Sequence, residues 1–274
     1  MLNNDLEDVP QKTTLPLTCY IFMKENKRTI LFLVLGSFFI ANAIIAEFLG
    51  VKIFSLEATL GMQPVNWEIL GNTLSFNMTV GVILWPVVFI MTDIINEYFG
   101  RGGVKLFSYI AAILISYAFL AIFMGIHLPA AEFWITKQTP NGSINMQEAY
   151  QAIFGQGLWI IIGSLFAFLV GQFVDVWVFH YVKKRTGNKN LWLRSTGSTL
   201  VSQLIDSFVV LFIAFYIGAG WDINLVLGIC AVNYIYKLVV ALLLTPVLYG
   251  VHAIIDSYLG KELAESMMRE AHED

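Results

Sequence analysis

Charge is what this chain has least of. Asp, Glu, Lys and Arg make up only 13% of its 274 residues, against 57% hydrophobic residues and a mean hydropathy of +0.70. An ordinary soluble domain carries about a quarter charged residues, so that class is excluded. Cysteine is nearly absent too. Cys19 precedes the first apolar segment and Cys230 lies in the last, which leaves no disulfide framework and too few ligands for a cysteine metal site. No His/Cys cluster has metal spacing, and there is no P-loop, GxSxG or HExxH. ATP hydrolysis and intramembrane proteolysis therefore have no residues to perform them. The sequence calls for no metal, no cofactor and no nucleic acid. Its start, MLNNDLEDVPQK, is acidic and polar, unlike a cleaved signal peptide.

What is present is a series of apolar windows, each near the roughly 20 residues that cross about 30 Å of hydrocarbon. They fall at about 29–48, 78–99, 104–126, 152–181, 195–217 and 225–251. The predicted fold is an all-α integral membrane protein with six transmembrane helices. Its domains are a cytosolic tail at 1–28, the six-helix body at 29–251 and a cytosolic tail helix at 252–274. The stretch 50–77, with Gly61, Pro64, Gly71 and Asn72 as breakers, is too polar to span and is expected to form a structured outer loop with short strands or a helix. Pro86 is expected to bend the second span and free the Val82 carbonyl. The third span is expected to face lipid, and the fourth, being long, to tilt. Trp192 and Arg194 read as an interfacial anchor and an orientation signal. With both termini inside, all of the 16 Lys and Arg residues except Lys52, Lys137 and Lys237 fall on cytosolic segments, as the positive-inside rule requires.

Two segments repeat one pattern. Gly163, Ala167, Gly171 and Asp175 recur every four residues, as do Ser198, Ser202 and Asp206, and Gln172 and Gln203 each lie three residues before an Asp. Steps of three and four share a helix face, so each segment carries a small-residue stripe that lets helices approach closely and ends in a Gln and an Asp. The Gln side chains are expected to satisfy the carboxylates. Charged groups in hydrocarbon cost at least ~2.5 kcal/mol each on insertion scales and mark functional pathways. Glu47, Asp93, Glu97, Asp175 and Asp206 stand against a single embedded cation, Lys237. In the second span Trp85, Phe89, Asp93 and Glu97 form a column at intervals of four, with Asn96 beside it. Aromatic rings above carboxylates and an amide suit a flat heterocycle held by stacking and by its polar edge. The competing readings are structural: Glu97 as a helix-end partner of Arg101, Asp175 and Asp206 as a packing clasp, Lys237 as a buried salt bridge, Asn42, Asn233 and Tyr236 as interhelical hydrogen-bond partners.

The strings WPVVFIMTDIINEYFG, GSLFAFLVGQFVDVWVF, WLRSTGSTLVSQLIDS and YKLVVALLLTPVLY resemble the queuosine precursor transporters, formerly the vitamin uptake transporter family, over Trp85 to Tyr249. The resemblance implies a bacterial inner-membrane protein importing a 7-deazaguanine, such as 7-cyano-7-deazaguanine or its aminomethyl form, for salvage into tRNA queuosine. It matches Asp93, Asn96, Glu97, Gln203, Asp206 and Lys237 to the family's polar positions, with Trp85, Phe89 and Trp177 as stacking candidates. Gln172, Asp175 and Asn233 complete the candidate substrate-binding set. A carboxylate accepts the adjacent N–H groups of a guanine-like edge as a fork. Alternating access is expected, with the fourth and fifth spans as a rocking unit; proton coupling and a homo-oligomer stay open, and the expected partners are the small-molecule base and the lipid bilayer. Two rival readings are the membrane subunit of an ATP-driven vitamin importer and an intramembrane lipid enzyme.

Overall fold

The computed structural model describes residues 17–140, 142–155, 158–186 and 191–273. The readings of the tail before residue 17, of Lys189 and of the Trp192 and Arg194 side chains lie outside the described residues. Five described helices are long and apolar enough to cross a membrane. The remainder includes three small two-stranded antiparallel sheets, so the architecture is that of an all-α multi-pass membrane protein.

Helix α1 spans Leu17–Leu49. The basic cluster read as the end of a tail therefore lies within a helix, where intrahelical hydrogen bonding continues unbroken. There Lys27 Nζ donates to the Tyr258 carbonyl at 2.7 Å and Arg28 pairs with Glu270 at 2.8 Å. Beyond α1, strand β1 (Ile53–Ser55) leads into the short helix α2 (Leu56–Thr59). Strands β2 (Trp67–Ile69) and β3 (Asn72–Leu74) make a hairpin, and β4 (Asn77–Thr79) returns to pair with β1. The centre of this segment is a carboxylate. Glu57, 3% exposed, accepts from Phe76 N at 2.8 Å, Ser55 Oγ at 3.1 Å and Val65 N at 3.5 Å. Burial pushes its carboxyl up, but these donors outweigh burial and hold it below the usual carboxylate range.

After a 3₁₀ turn at Val80–Ile83 comes α3, Trp85–His127, 43 residues long. A straight helix of that length would measure about 65 Å, twice the hydrocarbon thickness. It is not straight. Gly100 has φ 66° and ψ −170°, a backbone conformation open to glycine and costly for other residues. The contacts with α1 show what happens there. Phe32 of α1 meets both Phe99 and Phe107, at ring-centroid distances of 4.9 and 4.5 Å. At the far end of α1, Ala46 lies against Gly81 and Phe48 lies 5.5 Å from Phe119. Residues 81 and 119 thus share one end of α1, while 99 and 107 share the other, so the chain reverses at Gly100. The second and third expected spans are the two arms of this helical hairpin.

Three expectations about these arms are corrected. The helix starts at Trp85 rather than Met78. Pro86 occupies its first turn, where a missing N–H costs nothing, so it starts the helix instead of bending it. The second arm does not present itself wholly to lipid: Val104, Phe107, Ser108, Ala111, Ile115 and Phe119 form one buried face, and the Phe107 ring sits over Gly36 of α1. The first arm is buried on all sides from Met91 to Tyr98, which makes it the centre of the bundle.

A short helix α4 (Glu132–Ile135), the hairpin β5 (Thr136–Thr139) to β6 (Gly142–Asn145) and helix α5 (Met146–Phe154) follow. The long fourth span is two pieces: α5 ends at a Gly155 cap and α6 runs Leu158–Thr186. Helix α7, Leu191–Leu211, continues into a π-helical turn at Phe212–Ile217. Helix α8, Ile223–Leu259, is started by Asp222, whose carboxylate accepts from Asn224 N at 2.8 Å. Gly260, φ 86°, separates it from α9, Lys261–Glu273. The surface helix expected at the C-terminus is present, yet its apolar face joins the main core: Met267 is 0% exposed and lies in one cluster with Tyr98 and Leu35.

Candidate functional site

Helices α6 and α7 pack antiparallel along their small-residue stripes. A Cβ on Gly163 would stand 3.2 Å from the Val210 carbonyl, closer than side chains normally approach, so the helices meet there only because the residue is glycine. Further along, Ser202 Oγ donates to Asp175 Oδ1 at 2.9 Å, and Ser198 also bonds this carboxyl, which faces that of Asp93. The sequence pattern thus gave the clasp and its direction. It did not give the right donors. Gln172 turns to the first arm of α3, where its Oε1 accepts from Thr92 Oγ1 at 2.7 Å, and serine hydroxyls serve Asp175 in its place.

The polar residues of the first arm meet α6 and α7 rung by rung. His180 Nε2 donates to Asn96 Oδ1 at 2.9 Å, and Lys183 Nζ pairs with Glu97 at 3.0 Å. Thr199 Oγ1 donates to Asp93 Oδ2 at 3.2 Å. Residues 92, 96 and 97 meet 172, 180 and 183 in rising order, so this arm and α6 run the same way. Glu97 is 2% exposed, and its ion-pair partner is Lys183 of α6 rather than Arg101 on its own helix. On the other side of α7, Lys237 Nζ of α8 pairs with Asp206 Oδ2 at 2.7 Å, the buried salt bridge the sequence allowed. Glu47 of α1 accepts from Ser164 Oγ at 2.5 Å and faces Asp206.

One buried side chain stands apart. Gln203 is 1% exposed, and among the described residues neither its Oε1 nor its Nε2 has a hydrogen-bond partner. It lies on α7 between Thr199 at i−4 and Asp206 at i+3, on the same face. Among the described residues the amide nitrogens of Gln172 and Asn96 and the Ser207 hydroxyl are likewise buried without partners. An unmade buried hydrogen bond costs about 1–3 kcal/mol, and such groups call for an explanation in function or in water. A void of about 10 Å³ adjoins Asp93 and Thr199, room for about one water.

The remaining candidates sit outside this network. Phe89 is fully buried beside Gly171, and Trp85 packs on Phe168 at 5.7 Å; both extend the apolar core at one end of the site. Trp177 is 64% exposed and stacks on Tyr181, so the structure does not bring it to the carboxylates. Asn233 donates to the Ile229 carbonyl of its own helix at 2.9 Å. Sequence reading missed Thr92, His180, Lys183 and Thr199, and took Ser198 and Ser202 only as small stripe residues and not as donors to Asp175. For two of them the signal was there: His180 lies eight residues after Gln172, and Lys183 eight after Asp175, which is one helix face. Assigning the run Lys183–Arg185 to a cytosolic loop hid it. Among the described residues no group of three or more His, Cys, Asp or Glu could hold a metal.

The family described as "Putative vitamin uptake transporter" matches residues 79–251. A "Probable queuosine precursor transporter" of Bacillus subtilis is 29% identical over 235 residues, covering 80% of this chain and 96% of that protein. A protein of the same description from Haemophilus influenzae is 27% identical, covering 86% of this chain and 91% of its own length. The "Queuosine precursor transporter" of Escherichia coli is 25% identical, covering 66% and 75%. No solved structure matches the chain. The family and these relatives are transporters, not enzymes. The match over more than half of the sequence, across the helices that carry the buried polar rungs, makes this chain a member of the queuosine precursor transporter family.

Proposed function

We propose that this protein imports a queuosine precursor, 7-cyano-7-deazaguanine, 7-aminomethyl-7-deazaguanine or a related purine-like base, for salvage into tRNA queuosine. The observation that carries this reading is Gln203, a buried amide with neither end bonded, one helical turn from the Asp206 carboxylate. A guanine-like edge has adjacent N–H donors beside a carbonyl acceptor. Asp206 accepts the former as a fork and the Gln203 amide donates to the latter. Binding satisfies groups that are otherwise unsatisfied, and a base lacking that edge leaves them so, which is how a polar site discriminates. Asp93, Asn96, Glu97, Gln172, Asp175 and Lys237 form the surrounding polar shell, with Trp85 and Phe89 at its apolar end.

The mechanism is alternating access. A void of about 10 Å³ beside Asp93 and Thr199 is far smaller than a bicyclic base, so the substrate enters only when the helices part. The α6–α7 pair is the rocking unit, moving against the first arm of α3 and against α8. Six crossings with both termini in the cytosol of a bacterial inner membrane fit this picture. The reversal at Gly100 turns one long helix into two crossings, and the first arm runs parallel to α6, as second and fourth crossings must. Lys52 and Lys137 sit on the end that carries the hairpins, and the basic run Lys183–Arg185 sits on the other. The facing carboxyls of Asp93 and Asp175 are the place for a coupled proton; accumulation that survives collapse of the proton gradient removes this part of the reading.

The deciding test is uptake in cells unable to make 7-deazaguanines, read as queuosine in tRNA. Wild type restores the modification, and Gln203→Leu at equal membrane abundance does not. Restoration by both returns Gln203 to packing; restoration by neither, with wild type correctly inserted, removes the substrate.

A further inference from the structure

Four observations converge where α3 reverses. First, Gly100 lies directly beneath α9: a Cβ there would stand 3.2 Å from the Ala271 carbonyl oxygen and 3.4 Å from its Cα. Second, the residue two before it, Tyr98, is fully buried and tied to the end of α8. Its hydroxyl donates to Asp256 Oδ1 at 2.7 Å and accepts from His252 Nδ1 at 3.0 Å. Third, a cavity of about 430 Å³ opens beside the reversal, lined by Phe32, Tyr98, Phe99, Gly103 and Ala271. Fourth, the Arg28–Glu270 ion pair, 2.8 Å long, bridges α1 to α9 at the edge of that cavity. The first arm ends one turn from Asn96 and Glu97, so its tilt about Gly100 moves the polar rungs of the site. The matched family region stops at residue 251, before α9 begins, so nothing in that match assigns this helix a task.

We propose that Gly100 is the pivot of the first arm and that α9 is a releasable clamp on it. The Arg28–Glu270 pair fastens the clamp, and the 430 Å³ cavity is the clearance into which the arm swings when the site opens. Glycine serves the pivot because its left-handed backbone is unstrained, while the fastening is a half-exposed ion pair, a kind weak enough to break in each cycle. This rests on the transport reading above.

The test uses Arg28→Cys with Glu270→Cys in the full-length chain, with Cys19 and Cys230 replaced by serine. Long side chains span the gap in the native pair, and a direct disulfide needs closer backbones, so a reducible bis-methanethiosulfonate linker joins the cysteines. Expected is at least about a tenfold fall in 7-deazaguanine uptake when the link is complete, reversed by dithiothreitol, because the open population is removed. Undiminished uptake with the link complete overturns the clamp. The same cysteine pair carrying nitroxide labels gives a readout free of any substrate: two distance populations support release, and a single short one in every condition overturns it. Should wild type take up no 7-deazaguanine, the substrate reading fails by itself and the label distances still decide the clamp. The labels also decide if the reduced cysteine pair fails to transport.

Discussion

Lys237–Asp206 and Lys183–Glu97 are both buried lysine–carboxylate pairs, 2.7 and 3.0 Å long, and their settings differ. Lys237 comes from the middle of α8, and next to its acid on α7 lies the unbonded Gln203 amide. Lys183 comes from the last turn of α6, lies 5.3 Å over the Phe179 ring, and neighbours the made His180–Asn96 bond. In the first setting a ligand that displaces lysine from the carboxylate gains an amide as well; in the second it gains little. A buried ion pair is weak evidence for stability, since desolvation offsets much of the attraction. What differs between these two is whether the surroundings reward breaking them. On the proposed transport reading, the Lys237 pair is the exchangeable one and the Lys183 pair the latch.

The largest effect is expected at Asp206→Asn. It leaves Lys237 buried opposite a neutral group, a loss of about 3–5 kcal/mol when one partner of a buried pair is removed. Queuosine restoration should fall at least about a hundredfold beyond any drop in abundance, in line with a lost charged hydrogen bond worth ~3 kcal/mol. Normal restoration would make that pair simple packing. Next come the reciprocal exchanges. Lys183→Glu with Glu97→Lys should recover both membrane abundance and uptake, because a latch works in either polarity. Asp206→Lys with Lys237→Asp should recover abundance alone, since the carboxylate then stands on the wrong helix for Gln203. If the two exchanges behave alike, the distinction is lost. Smaller again is Lys183→Met, which should lower the maximal uptake rate about tenfold with little change in KM, the mark of a conformational step rather than of binding. A raised KM would assign Lys183 to the substrate.

The smallest effect lies outside the bundle. Glu57 is held below the usual carboxylate range by its donors. A depressed carboxyl contributes stability that is fully present above its unfolded value of about 4.3 and lost as pH falls through the lower folded value. Amide exchange of Phe76 and Val65, corrected for its intrinsic pH dependence, should be flat from neutrality to about pH 5 and rise only below the unfolded value. Glu57→Gln should remove that dependence while leaving uptake near wild type. A rise already at neutral pH would contradict the assignment.

How much of this was legible follows from the kind of signal each part leaves. Small residues every four positions can only mean one helix face, so the α6–α7 contact could be read directly; Asp175, left open to water by its closeness in sequence to Lys183, is fully buried. The Lys237 pair was legible for a related reason: a cation in mid-span must find an acid. Gln172 was misassigned because periodicity gives a face and not a rotamer, and its amide turns to Thr92 of the first arm of α3. Lys183 escaped because hydropathy windows end a span where charge begins, whereas α6 continues to Thr186 and its buried face reaches Lys183. The reversal at Gly100 was visible only as a gap between two windows. Its geometry depends on α1, α9 and the Tyr98 bonds, contacts made by residues far apart in the chain.

The close fit of α6 to α7 has a mechanical consequence. With Gly163 against the Val210 carbonyl at one end and Ser202 bonded to Asp175 further on, the two helices have no slack along their common length and carry load together. The bonds Thr92–Gln172, His180–Asn96, Thr199–Asp93, Ser164–Glu47 and Lys237–Asp206 all leave that pair for another helix. The fasteners thus lie around the perimeter of one stiff plate. Loosening any of them shifts torque onto the others, so single substitutions at the perimeter should couple energetically across distances at which unlinked sites would simply add.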